Sequence, residues 1–124
     1  MIEVLDGFPD SVLAVRASER ITAEDYRDVL TPAVEDKLSR HPKLRLLYHL
    51  GADFTRFTTT ALWDDARLGF HHLRDFERIA VVTDVGWIGK LAATAGRALS
   101  VEVRVFPDAQ LTAASAWIRE GLGE

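Results

Sequence analysis

The sequence predicts an α/β domain with a mostly parallel five-stranded sheet, in the element order ββαβαβαβα and with an antiparallel N-terminal hairpin. Two observations predict this class. The unbroken apolar run at residues 79–82 is typical of a strand buried on both faces, as in the middle of a parallel sheet. Strand-like runs then alternate along the chain with segments whose apolar residues recur at helical spacing, as α/β domains require.

The composition fits one domain over residues 1–124, since 48% hydrophobic residues suffice for a single core. The net charge is −4 and the Lys and Arg residues form no cluster, which argues against nucleic-acid binding. Because the chain has no Cys, disulfides, thiolate metal sites and thiol catalysis are excluded. The N-terminal segment lacks the pattern of a signal peptide, and no apolar run is long enough to span a membrane. We therefore expect a cytoplasmic protein.

The first half of the chain predicts the hairpin, a helix and the third strand. Residues 2–5 and 12–17 are apolar runs around a turn that contains Gly7 and Pro9. Thr22 and Asp25 resemble a capping box and begin a helix over residues 22–40, which Pro32 should kink or break. Residues 44–50 follow as a strand, and residues 51–60 are expected to be a long irregular connection.

The second half predicts two further strands and three helices. Apolar positions between residues 62 and 76 mark the inner stripe of the second helix, which leads into the central strand. Trp87, Ile88 and Leu91 begin the helical spacing of the third helix. Residues 101–106 alternate between Val and mostly charged residues, which indicates a half-exposed strand near an edge, and Asp108 is expected to cap the last helix.

Four carboxylates fall near the carboxyl ends of the predicted strands, where open α/β sheets usually bind ligands: Glu19, Asp53, Asp84 and Asp108. Carboxylate oxygens could hold Mg²⁺ or Ca²⁺. The simpler interpretation is that Asp84 and Asp108 each begin a helix, because Asp is strongly preferred at that position. We therefore predict no metal site and no cofactor.

The residues give little support to catalysis. The segment around Gly89-Lys90 has the wrong spacing for a phosphate-binding loop, and Leu91 stands where Ser or Thr would bind the metal. Gly89, Ala93 and Gly96 are better explained by close packing of a helix on a neighbour, either within the fold or across a dimer. No Ser lies in a G-x-S-x-G context, so a nucleophile with an adjacent base has no support. We expect the protein not to be an enzyme.

The histidines are also expected to be structural. His71 and His72 are adjacent, and neighbouring residues on a helix point about 100° apart, so the two cannot chelate one metal together. His41 and His49 lie on other elements and have no ligand pattern with that pair. A partly buried or surface structural role is favoured for each of the four.

Aromatic residues gather at the third connection and just after it: Phe54, Phe57, Trp63 and Phe70. One interpretation is that these side chains fold back onto the core, because large side chains usually find cover. The other is an aromatic lid over an apolar pocket or partner surface. An eight-carbon tail buried there would contribute about 6 kcal/mol, enough for weak reversible binding.

The sequence also resembles a known family. The resemblance lies in Trp63-Asp64, in F-E-R-I-A-V-V at residues 76–82, in Trp87, in E-V-R-V-F at residues 102–106 and in the ending at residues 114–117. This pattern is similar to the SpoIIAA-like proteins of the STAS superfamily, whose fold is related to anti-sigma-factor antagonists and to CRAL-TRIO lipid-transfer domains. The resemblance implies a non-catalytic binding or regulatory domain, a homodimer, an apolar ligand and transient membrane contact. Trp87 joins the four aromatics as a predicted ligand-binding residue.

One family feature does not carry over. Anti-sigma antagonists are phosphorylated in a D-S-S-G-like segment between the third strand and the second helix, and this chain has no Ser there. Thr55 and Thr58 are the residues that could accept a phosphate in its place. Our first hypothesis is therefore a sensor or carrier of a small apolar, lipid-like ligand. The second is a regulator of a protein partner, and the third, least favoured, is an enzyme that uses the aspartates.

Overall fold

The computed structural model describes residues 1–57, 75–99 and 101–122. A five-stranded sheet has the order β1-β2-β3-β4-β5, in which β1 and β2 are antiparallel and all later neighbours are parallel. The predicted α/β class and the N-terminal hairpin are thereby confirmed. The strands are β1 (Ile2–Val4), β2 (Val12–Ile21), β3 (Leu44–Phe57), β4 (Phe76–Val82) and β5 (Glu102–Phe106).

Helical segments connect these strands. The predicted helix between the third and fourth strands falls on residues 58–74 and lies outside the described residues. The described segments are α1 (Ala23–Asp25), a π-helical turn (Tyr26–Leu30), α2 (Thr31–Leu38), α3 (Gly86–Leu99), a 3₁₀ turn (Asp108–Gln110) and α4 (Leu111–Arg119).

The first helical segment is capped and distorted where the sequence predicts it. Thr22 and Asp25 form both bonds of the capping box. The backbone N–H of Thr31 donates to the carbonyl of Tyr26, five residues earlier, so the helix widens into a π turn just before Pro32. A proline ring crowds the carbonyl four residues before it, and the wider turn relieves that contact. The predicted break at Pro32 is thus a π turn.

Strand β3 corrects the predicted irregular connection at residues 51–60. Residues 51–57 continue the strand, because β2 also extends beyond its predicted end and pairs with them. The pairing survives through register shifts on either side of Glu19, which stands opposite Phe54 and has a φ of 56°. A bulge of this kind lets two strands stay paired after an irregular position. Gly51 and Asp53 therefore lie within a strand.

The two faces of the sheet are covered by different helices. Tyr26, Leu30 and Val34 pack with Ile88 of α3 against one face, and α4 packs against the other through Ala114, Trp117 and Ile118. The buried strand residues on the α4 side are Val12, Ala14, Leu47, Ala80 and Val82. Burial on both faces explains why the central strands have unbroken apolar runs.

Two glycines let α3 approach β5 closely, as the sequence predicts for this helix. A Cβ atom added at Gly89 would lie 3.0 Å from Cγ1 of Val105. One added at Gly96 would overlap the side chain of Val103. The small residues of α3 therefore serve packing within this chain.

Two arginines hold the C-terminal end of α4 against the amino ends of the strands. Arg45 of β3 donates from Nη1 to the carbonyls of Ile118 at 3.1 Å and Glu120 at 2.6 Å. Arg78 of β4 donates from Nη1 to the carbonyl of Trp117 at 3.0 Å. Arg45 thus gives donors to the carbonyls of Ile118 and Glu120 at the end of the helix, where carbonyls lack intrahelical partners. The carbonyl of Trp117, which also accepts the N–H of Glu120, gains a second donor from Arg78.

Candidate functional site

The carboxyl ends of the parallel strands bring charged side chains from three elements together. Arg16 of β2 stands beside His49 of β3 in the strand register, so both point to the same face of the sheet. Nε2 of His49 lies 3.6 Å from Oδ1 of Asp108, which follows β5 in the 3₁₀ turn. We call Arg16, His49, Asp84 and Asp108 the carboxyl-edge cluster.

The aspartates of this edge have partners within the chain. Asp108 does not cap the last helix with its side chain, because the 3₁₀ turn begins at it and Pro107 stands at the cap position. Instead, the backbone N–H of Asp108 donates to Oδ1 of Asp84 at 2.9 Å. The predicted helix-capping role of Asp108 is thus wrong. The side chain of Asp84 accepts this hydrogen bond from the turn that follows β5. Within the described residues it accepts none from α3, the helix that follows Asp84 in the sequence.

Burial and neighbouring charges change the pKa of the Asp108 carboxyl group. Oδ1 of Asp108 is buried and has no hydrogen-bond partner among the residues that the structure describes. Burial, followed by the nearby carboxylate of Asp84, raises the pKa of Asp108, and the positive charges of His49 and Arg16 oppose this rise. A carboxylate in this setting favours the uptake of a proton.

Gly51 leaves space for the guanidinium of Arg16 at the carboxyl ends of the strands. Nη2 of Arg16 donates to Oδ1 of Asp53 at 2.9 Å. A Cβ at Gly51 would overlap the guanidinium of Arg16. The glycine therefore permits the ion pair of Arg16 with Asp53, and the side chain of Asp53 is 54% exposed.

The four carboxylates that the sequence placed at this edge do not form one ligand set. Asp53 pairs with Arg16, and Asp84 accepts the amide of Asp108. Glu19 is exposed at the bulge of β2. Within residues 1–57, 75–99 and 101–122, no group of three His, Asp or Glu side chains could hold a metal ion.

Sequence reasoning assigned His49 a generic structural role and missed its place in this cluster. A signal was present, since Arg45, Leu47 and His49 alternate on one face of the third strand. That pattern puts His49 at the carboxyl end of the strand, on the face that α4 covers. The partner on the turn before α4 could not be derived from spacing alone, because strand register decides which residue faces His49.

A second candidate surface lies on α3. Trp87 and Leu91 are one helical turn apart, and they are 54% and 59% exposed. Ile88, between them in sequence, is buried in the core. Large apolar side chains that are exposed side by side on a helix often mark a binding surface. We call Trp87 and Leu91 the α3 surface.

The predicted aromatic site is described only in part. Phe54 is half-buried and packs against the core, and Trp87 is exposed on α3. The backbones of Thr55 and Phe57 belong to β3, and their side chains lie outside the described residues. Trp63, Phe70 and Thr58 fall in residues 58–74 and lie outside them as well. The ligand-binding and phosphorylation roles of these residues stay predictions.

No helix within the described residues is both long enough and apolar enough to cross a membrane.

The comparison with family models decides the classification. Residues 12–119 match the family model described as SpoIIAA-like. The chain belongs to the SpoIIAA-like family. The resemblance in the sequence motifs is thereby confirmed over most of the chain. Among curated proteins, no match was found.

A solved structure supports the same assignment. An uncharacterised protein from Shewanella loihica PV-4 with a SpoIIAA-like fold matches with a TM-score of 0.75 and 26% identity. The match covers 95% of this chain and 92% of that one. The SpoIIAA-like fold is that of a regulatory or binding domain; the family is generally non-catalytic, and its members commonly bind protein partners.

Proposed function

We propose that this SpoIIAA-like protein is a non-catalytic regulatory domain that senses or carries a small apolar, lipid-like ligand. The observation that carries the proposal is the exposure of Trp87 and Leu91 side by side on α3. A Trp and a Leu that are each more than half exposed on one helix face are typical of a surface that meets an apolar partner. The family's general lack of catalysis supports a binding role over a reaction.

The size of the α3 surface fits reversible binding. Full burial of a large apolar side chain contributes about 1.5–3 kcal/mol, and both residues here are already covered in part. The two together are therefore worth a few kcal/mol at most, before the cost of ordering a ligand is subtracted. Such a surface exchanges its ligand rather than retaining it permanently.

Two cations on the same helix support transient membrane contact as part of this function. Lys90 and Arg97 of α3 are both exposed. Basic residues near an anionic bilayer contribute about 1 kcal/mol each, which adds to the burial of apolar side chains at the interface. A contact of this size is weak and peripheral.

The second candidate is a regulator of a protein partner, as in anti-sigma-factor antagonists. Family members commonly bind proteins, and the α3 surface would suit an apolar patch on a partner equally well. In this version, phosphorylation of Thr55 or Thr58 would add a charge of about −1.5 to −2 and change the partner's affinity.

Native mass spectrometry of the freshly purified protein tests the first proposal, followed by denaturing extraction of any bound molecule. We expect a fatty acid or similar apolar molecule in the wild-type protein and its loss in Trp87→Ser and Leu91→Ser. Val4→Ser is the matched control, because Val4 is 46% exposed on β1 at the other edge of the sheet. This control should retain the ligand.

A clean apo mass for the wild-type protein would contradict the ligand proposal and favour the protein-partner function. The same spectra test the predicted homodimer, because they report the mass of the assembly. Flotation with vesicles that contain anionic lipid tests membrane contact separately. Wild-type protein should float with these vesicles more than Trp87→Ser does, and equal flotation would exclude a role of the α3 surface in that contact.

A further inference from the structure

An unsatisfied oxygen stands at the centre of the carboxyl-edge cluster. Within the described parts of the chain, Oδ1 of Asp108 is buried without a hydrogen-bond partner, although buried polar atoms normally have at least one. Nε2 of His49 is 3.6 Å away, slightly beyond hydrogen-bond distance. The side chains of His49 and Asp108 are only 13% and 21% exposed, so water screens the pair weakly.

A proton would repair this arrangement in either of two positions. On His49 it would produce an imidazolium facing a carboxylate, and on Asp108 it would produce a carboxyl group that donates to the imidazole. With neither added proton, an ionised carboxylate, which burial disfavours, faces a neutral imidazole that donates from Nε2 only in one of its two tautomers. In that state no positive charge on His49 balances the charge of the buried carboxylate.

The charges around the pair come from every element that packs on it. Asp84, which follows β4, adds negative charge and favours proton uptake at Asp108. Arg16 on β2 adds positive charge and opposes it. Asp53 on β3 is bonded to Arg16 and offsets part of that positive charge. Together with Asp53, the cluster therefore sets two cations or potential cations against three carboxylates.

We propose that His49 and Asp108 form a proton-operated latch, which binds one shared proton and then fastens the 3₁₀ turn before α4 to the end of β3. The two groups belong to segments far apart in sequence, so their contact ties two parts of the sheet edge together. The contact between the 3₁₀ turn and β3 is strong when the proton is bound and weak when the proton is lost.

The sign of the pH dependence follows from the unfolded chain. There, His and Asp are separated and titrate near their ordinary values of about 6.5 and 3.9. The latch requires the folded pair to bind its first proton more tightly than the separated His does. The stabilisation is then fully present below about pH 6.5 and disappears as the pH rises towards 8. Folding stability should fall over this window.

Urea unfolding between pH 8 and pH 6 tests the latch in wild-type protein, Asp108→Asn and His49→Gln. We expect the unfolding equilibrium constant of wild type to fall roughly fivefold more over this range than that of either variant, because only the wild type has both groups of the latch. Asp36→Asn is the matched control, because its side chain is 67% exposed and pairs with Arg40 on the helix surface. The control should retain the wild-type slope.

A second measurement keeps the proposal testable if one variant folds poorly. The NMR signal of the His49 ring, assigned by its loss in His49→Gln, is followed against pH in wild type and in Asp108→Asn. The ring should lose its proton at a lower pH in Asp108→Asn. Superimposed titration curves, or equal stability slopes in wild type and both latch variants, would overturn the latch.

Discussion

The guanidinium of Arg78 lies 5.0 Å from the centre of the Trp117 ring, while its Nη1 donates to the backbone carbonyl of the same residue. One side chain of β4 therefore holds both the ring and the backbone of α4. Arg104 of β5 also lies over the ring, at 5.1 Å, but among the described residues no hydrogen bond joins it to α4. Both arginines contact the Trp117 ring, and Arg78 also donates a hydrogen bond to the backbone of Trp117.

We expect Arg78→Met to destabilise the protein by about 1–3 kcal/mol, since it removes a cation–π contact, a charged hydrogen bond and the ion pairs with Glu102 and Glu120 but keeps the apolar stem. Arg104→Met is the matched control and should cost about 0.5–1 kcal/mol, because only the stacking contact is lost. Urea unfolding of both variants at pH 7 measures the difference. Equal losses would show that the bond to the carbonyl contributes little.

Gly96→Ala should destabilise the protein by about 1–3 kcal/mol, because the new methyl group would overlap Val103 of β5. The gain in helix propensity of up to about 1 kcal/mol offsets only part of this loss. Gly86→Ala on the same helix is the control, since a Cβ there meets no atom within 4 Å. It should be neutral or stabilising. Thermal unfolding distinguishes the two substitutions by the sign of the change.

The ionised carboxylate of Asp25 stabilises the fold, so its protonation should make the protein less stable in acid. Burial opposes the effect, but the bonds from the backbone and hydroxyl of Thr22 lower the pKa of Asp25. Because the folded pKa is below the unfolded one, this contribution is present above about pH 4 and is lost as the pH falls further. Asp25→Asn should cost about 0.5–1 kcal/mol at pH 6 and progressively less towards pH 3.5.

Urea unfolding across this pH range measures the contribution of Asp25. Glu24→Gln serves as its control, because Glu24 is exposed in the same helical turn and takes no part in the capping box. Its effect on stability should be small at every pH. A constant difference between wild type and Asp25→Asn would contradict the assigned role of the ionised carboxylate.

The two neighbours Trp87 and Ile88 should separate binding from folding. Ile88→Ala removes a core side chain and is expected to cost about 2–5 kcal/mol. Trp87→Ser changes an exposed position and should cost much less, while reducing ligand or partner binding. Unfolding and binding are measured on both variants in parallel. A Trp87→Ser protein as unstable as Ile88→Ala would show that Trp87 belongs to the core.

The sequence predicted most of the sheet because the strands carry their own patterns. Residues 79–82 are apolar without interruption and lie in β4, and the alternation at residues 101–106 places β5 at the edge, as observed. The capping box at Thr22 and the break near Pro32 were equally local, since each depends on residues within one helical turn. Local chemistry suffices for elements of this kind.

The extension of β3 could not be predicted in the same way. Gly51 and Asp53 are typical of turns, and only the pairing of β3 with the prolonged β2 keeps them in a strand. The partner of His49 was hidden for the same reason, because residues 49 and 108 meet only through the register of three strands. Tertiary pairing decided both features.

The strand order also determines how this chain must reach its folded state. Apart from the β1–β2 hairpin, every pair of neighbouring strands is parallel, so each closes a crossover before its ladder can form. The entropy of closing these loops is lost before the contacts that repay it are made. The chain therefore folds on a timescale of about milliseconds or longer rather than microseconds, and its rate is governed by the search for partners distant along the chain.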